Sequence, residues 1–270
     1  SEPIGGPQLA ISDAVRGNGN RHFFWLPPMV GQPTSYNGAF DGSLPAVVQI
    51  CDLTDCAARP IAEFTMTTGP GSETVRMVPG SEQYSVNWHT GDFPVGPGPT
   101  YRITVLVAGA VMGFADVQLG AAGKEVKNLT TGEVIGLLDG RTLAIKFRLE
   151  VGAAYAVGSS GGTIVTEDSK VELEIPSGAL STLVGITVGA SAGAPANAGL
   201  IGGTIYDFQP DGLTFSPAAL LTIGFEESNL GGIPEPTLTL LTEVAGVWVE
   251  LPGSTVDQAG NTVSAPIQGF

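Results

Sequence analysis

Gly162-Thr-Ile-Val-Thr-Glu-Asp-Ser-Lys-Val-Glu-Leu-Glu-Ile-Pro-Ser-Gly-Ala-Leu180 and, further on, Ile205-Tyr-Asp-Phe-Gln-Pro-Asp-Gly-Leu-Thr-Phe-Ser-Pro-Ala-Ala-Leu-Leu-Thr-Ile223 are the stretches whose reading decides the fold. Both consist of short segments with apolar residues at alternate positions, each closed by Pro, Gly or an Asp-Gly turn. An extended chain sends successive side chains to opposite faces. Val171, Leu173 and Ile175 are therefore expected to point inward, with Glu172 and Glu174 toward water. Neither stretch contains a reaction centre, so the reading concerns architecture.

The same pattern extends over the rest of the chain. Among 270 residues, 39 Gly and 20 Pro interrupt it too often for long helices, and Thr, Val and Ile fill the intervals. Strand-like segments recur around 22–26, 46–51, 60–67, 72–78, 83–89, 100–108, 111–119 and 142–150. Tyr101-Arg-Ile-Thr-Val-Leu-Val107 and Leu143-Ala-Ile-Lys-Phe-Arg-Leu149 show the period of two most clearly. Turns such as Gly69-Pro-Gly71 and Gly96-Pro-Gly-Pro99 separate them. About eight strands at this spacing suggest an immunoglobulin-like β-sandwich over residues 21–151. The small, uncharged stretch 152–160 reads as a linker, and residues 161–270 as a second sandwich with a hairpin turning at Gly260-Asn261. The two halves share no residue-level repeat. The expected fold class is all-β, two tandem immunoglobulin-like sandwiches.

Residues 1–20 read as an extended N-terminal arm between glycine breaks, Gly5-Gly6 on one side and Gly17-Asn-Gly-Asn20 on the other. Leu9, Ile11 and Val15 share one face of it, with Asp13 interrupting. An arm of this kind is suited to β-strand addition, in which one chain completes the sheet of the next, and an unclosed head-to-tail contact builds a filament. The other reading is that the segment is the first strand of its own domain.

Residues 161–270 also resemble a known family. Gly161-Gly162, Val171-Glu-Leu-Glu-Ile-Pro-Ser-Gly-Ala-Leu180 and Pro210-Asp-Gly-Leu-Thr-Phe-Ser-Pro217 are similar to the β-sandwich domain shared by zonula occludens proteins, netrin receptors and ankyrins, which also occurs in secreted bacterial proteins. Val247-Trp-Val249 and Ala265-Pro-Ile-Gln-Gly-Phe270 fall where that family has its last strands. The resemblance implies a protein-interaction or structural module. Some members cut their own chain at a His-Phe-Ser site, but Gln268-Gly269-Phe270 has neither the His nor the Ser, so self-cleavage does not carry over.

Charge narrows the partners. The formal charge is −15, and residues 151–270 hold 12 acids against one base, Lys170. A hundred residues without a cation cannot neutralise phosphates, which excludes nucleic acid and disfavours anionic membranes. No apolar run reaches membrane-spanning length. The only cysteines, Cys51 and Cys56 in Ile50-Cys-Asp-Leu-Thr-Asp-Cys56, flank four turn-forming residues. That spacing suits a disulfide across a hairpin mouth and an oxidising compartment; two unpaired core thiols are the alternative. A start at Ser1 without Met is what a processed secreted chain shows, and an engineered start looks the same.

Patterns that would carry chemistry are few. Gly158-Ser159-Ser160-Gly161-Gly162 matches the Gly-x-Ser-x-Gly hydrolase elbow, but both histidines, His22 and His89, precede it and no α/β alternation surrounds it. Trp25 and Trp88, with His22 and His89, make either an aromatic platform for a sugar ring or plugs of a sandwich core. Trp248 is a third aromatic of that kind. The acidic turns at Asp41, at Asp52 with Asp55, and at Asp207 with Asp211 lack the spacing of a dedicated calcium loop, so weak calcium binding is the most they suggest and no cofactor is expected. Asn128-Leu-Thr130 is a lone glycosylation sequon. Together these readings point to a secreted or cell-surface bacterial protein without catalytic activity. It is read as a structural subunit that joins copies of itself or other surface proteins. A carbohydrate-binding adhesin is the second reading and a secreted hydrolase the third.

Overall fold

A computed structural model of the chain describes residues 11–17, 19–56, 60–120, 135–138, 140–191 and 199–270. Among them helix is confined to three-residue 3-10 turns, and all other regular structure is strand. The chain divides into two compact units, Ser1–Ala153 and Ala154–Phe270.

The first unit contains β1 (Ile11–Ser12), β2 (Phe23–Trp25), β3 (Ala46–Asp52), β4 (Ala62–Phe64), β5 (Arg76–Val78), β6 (Gln83–His89), β7 (Thr100–Val107), β8 (Ala110–Gly120), β9 (Ile135–Leu138) and β10 (Thr142–Leu149). One sheet runs β1-β8-β7-β3-β4 and the other β2-β10-β6-β5. The two meet face to face: Trp88 of β6 packs edge-on against Tyr101 of β7, and the Trp25 indole N–H donates to the Phe114 carbonyl at 3.1 Å. Period two is obeyed where it was read. Tyr101, Ile103, Val105 and Val107 are buried along β7, as are Leu143, Ile145 and Phe147 along β10.

In its described part the N-terminal segment follows the second of its two readings, a strand of its own unit. Ile11 and Ser12 pair antiparallel with Ala115 and Phe114 of the same unit's β8, and both are buried. Farther along the same edge of β8, β9 pairs in parallel from Val117 to Gly120, the one parallel pairing among the described residues. Gly113 makes room for β1: a Cβ there would collide with the Ser12 carbonyl and lie 2.6 Å from the Phe23 ring.

The second unit contains β11 (Tyr155–Val157), β12 (Gly162–Val165), β13 (Val171–Ile175), β14 (Val184–Ala190), β15 (Tyr206–Gln209), β16 (Thr214–Gly224), β17 (Leu241–Val244), β18 (Val247–Glu250), β19 (Thr255–Asp257) and β20 (Thr262–Gly269). Its sheets run β12-β13-β16-β20-β19 and β11-β14-β15, and β17 and β18 form a separate hairpin. Val171, Leu173 and Ile175 are buried while Glu172 and Glu174 are exposed, as their alternation requires. Pro217 sits inside β16 where pairing with β20 skips from Thr214 to Ala219, a bulge that spares its missing N–H. The hairpin read at Gly260-Asn261 joins β19 to β20, with Val256 opposite Val263. The stretch read as a linker is only partly free, because β11 lies inside it and pairs with β14.

Candidate functional site

The residues singled out in the sequence do not converge. Trp25 and Trp88 have no exposed surface, so the sugar platform is withdrawn. Trp25 belongs to an aromatic core with Phe23, Phe147 and Tyr84, and Trp88 packs against Tyr101. His89 is half-buried at the end of β6, with Nδ1 2.7 Å from the Thr142 hydroxyl and Nε2 3.5 Å from Glu73. His22 is buried in the same unit. Of the arm residues, Ile11 is buried in its own sheet and Val15 is exposed, while Leu9 lies outside the described residues, as does Asn128. Cys51 and Cys56 form the expected disulfide, with Cα atoms 5.1 Å apart. Beside it the Thr54 hydroxyl and N–H donate to Asp52 and hold that carboxyl below its ordinary value.

Sequence reasoning passed over the buried charges of the first unit. Arg148 leaves β10 with its Nε 3.1 Å from Glu150, one terminal nitrogen 2.6 Å from Glu82, and the other donating to the Gly38 carbonyl. Its guanidinium also stacks on the Tyr36 ring at 4.4 Å. The second oxygen of Glu150 accepts from the Asn37 N–H at 3.2 Å and lies 3.4 Å from His22 Nδ1. Asp13, read as an interruption, accepts from the backbone N–H groups of Val15 and Arg16 and from the Arg16 guanidinium. Asp116 takes a bidentate pair from Arg102 across β7 and β8, and that guanidinium lies 3.8 Å over Phe114. In each case a buried charge is matched by charge-assisted bonds that fix a loop or a strand pair. The one available signal was Asp13 at an inward position: Arg148 lies within β10 on the parity opposite to the inward Leu143, Ile145 and Phe147, and Glu150 follows on that same parity.

The second unit holds a different feature, a cleft of about 460 Å³. Leu221 and Ile223 of β16 and Val263 and Ile267 of β20 form its apolar floor. Tyr206, Asp207 and Phe208 of β15 line one side; Leu241, Thr242 and Glu243 of β17, with Trp248, line another. Asp207, Asp211 and Glu243 are exposed at its margin, and among the described residues none is ion-paired. Gln209 donates to both aspartates, at 3.4 and 3.2 Å. Burial, and then the negative charge of Asp168, push the Tyr206 phenol up. No group of three or more metal-ligating side chains occurs among the described residues, and no described helix is long and apolar enough to cross a membrane.

No protein-family model matches the chain, and no curated protein matches it.

Proposed function

We propose that this chain is a non-catalytic extracellular structural protein, a subunit of a surface assembly. On this reading it is built of two immunoglobulin-like sandwiches in tandem, the second akin to the domain of zonula occludens proteins, netrin receptors and ankyrins. The observation that carries the proposal is the use of buried charge. Asp13, Asp116, Arg148 and Glu150 each close on partners that brace loops or strand pairs, so the polar interior serves rigidity. The Cys51–Cys56 disulfide supports an oxidising, extracellular setting.

Assembly proceeds by β-strand addition at the edge of β8. There β1 contributes only two paired positions and shares the edge with β9. A strand held this briefly can be supplied by a neighbouring copy through the same pairing. Cysteines placed at the paired positions, Ser12→Cys and Phe114→Cys, read out which chain supplies it. The expected result, at concentrations where electron microscopy shows assemblies, is an interchain disulfide ladder on a non-reducing gel. Intrachain bonds alone, with monodisperse particles at every concentration, would overturn the proposal.

A further inference from the structure

We infer that the cleft of the second unit is an acceptor for an extended, basic peptide segment of a partner protein, which adds as a strand between β15 and β17. This site lies apart from β8, and the inference holds whether or not copies of the chain join one another.

The first argument is the way the two strands face the cleft. Neighbouring residues of a strand point to opposite faces, so a strand that lines a cavity with its face contributes every second residue. Here β15 contributes the consecutive residues Tyr206, Asp207 and Phe208, and β17 the consecutive residues Leu241, Thr242 and Glu243. Consecutive lining residues mean that the strands border the cleft with their edges. Both edges are open: among the described residues β15 pairs only with β14, and β17 only with β18. Open edges present unpaired backbone N–H and C=O groups, the groups that bind an added strand.

The floor fixes the character of the occupant. Leu221, Ile223, Val263 and Ile267 are apolar and belong to the hydrophobic core or pack directly on it. The volume of about 460 Å³ falls within the range of pockets that bury ligands, roughly 300–1,000 Å³. Because β15 and β17 are four residues each, a segment of about four or five residues spans them, every second side chain turned to the floor.

Charge then selects the partner. Asp207, Asp211 and Glu243 stand at the margin, in a half of the chain that holds 12 acids and one base, Lys170. Lys170 is itself 3.1 Å from Glu226. A second copy of so acidic a unit is repelled, whereas Lys or Arg flanking the apolar positions of an incoming strand is attracted.

The test is selection of displayed random dodecapeptides on the intact protein, followed by amide hydrogen exchange with the winners bound. Enriched peptides should alternate apolar and other residues, carry Lys or Arg, and slow exchange at 206–209 and 241–244. Reversing the marginal charges with Asp207→Lys and Glu243→Lys, both exposed, should weaken binding roughly tenfold. Glu172→Lys, on the exposed face of β13, should leave it unchanged. N-methylation of alternate peptide amides should abolish it. Four results would each overturn the inference: no enrichment, slowed exchange elsewhere, binding indifferent to the charge reversals, or slowed exchange at 206–209 and 241–244 in the unliganded protein as its concentration rises. The last would make a second copy the occupant.

Discussion

Tyr84 has no exposed surface, and its hydroxyl donates to the carbonyls of Asp41 at 2.9 Å and Leu44 at 3.2 Å. Burial, and then the charge of Asp41, push its phenol up to about 12. A group whose value is raised on folding contributes stability that is complete below its unfolded value, about 10 for tyrosine. That contribution is lost as pH rises through the folded value. Alkaline denaturation should therefore show a loss of about 1–3 kcal/mol between roughly pH 10 and 12. Urea midpoints measured across that window should fall in the native chain, and Tyr84→Phe should show a smaller decline. An equal decline in both would mean that Tyr84 is not the group that titrates. Glu150 is also buried, with both oxygens occupied by partners from positions 22, 37 and 148. Its position shares the parity of Lys146 and Arg148, opposite to the inward residues of β10, so the sequence gives no sign of its burial. Which partner meets it depends on three distant segments arriving together.

At the scale of elements, strands with a sustained period were legible, and some of the shortest were not. β6, β7, β10, β13 and β20 alternate over five or more residues, and period two alone identifies them. β1, β11 and β19 have two or three residues each, too few for any period. They are strands because a partner edge lies beside them. For β1 the sequence leaves two readings open, an exchanged arm or the first strand of its own domain, and β11 reads as linker; each is held by a neighbour that its own residues do not reveal. Gly113 is the sequence trace of the first contact, since it lets the Ser12 backbone and the Phe23 ring approach β8. Gly113→Ala should cost about 1–3 kcal/mol by overpacking. It should also raise hydrogen exchange selectively at 11–12 and at the facing residues 114–115. Uniform loss of protection over the whole unit would show that β1 is not separable from the rest of its sheet. The Cys51–Cys56 loop was readable because it is local: six residues with a cysteine at either end leave little to tertiary context.

Over the whole molecule, charge is divided as unevenly as the chain. Residues 151–270 hold 12 acids and one base, whereas residues 1–150 hold 14 acids and 10 bases. Self-repulsion in the second unit is screened by salt, over about 10 Å at 0.1 M and less at higher concentration. Between 20 and 500 mM sodium chloride, thermal unfolding followed by a probe in the second unit, such as Trp248 fluorescence with Trp25 and Trp88 replaced by Phe, should move upward by a few degrees. A flat or falling midpoint would mean that the acids of this unit do not strain it. The sequence by itself determined the all-β class, most strands of five or more residues and the disulfide, because alternation, turn residues and a short cysteine spacing act over a few neighbours. Only the tertiary structure decided that Trp25 and Trp88 are core, that Ile11 lies on its own sheet, that Arg148 and Glu150 hold a loop, and that β15 and β17 border a cleft with an apolar floor. The reason is physical: each depends on which distant segment arrives alongside, and period, propensity and charge describe a segment without naming its neighbour.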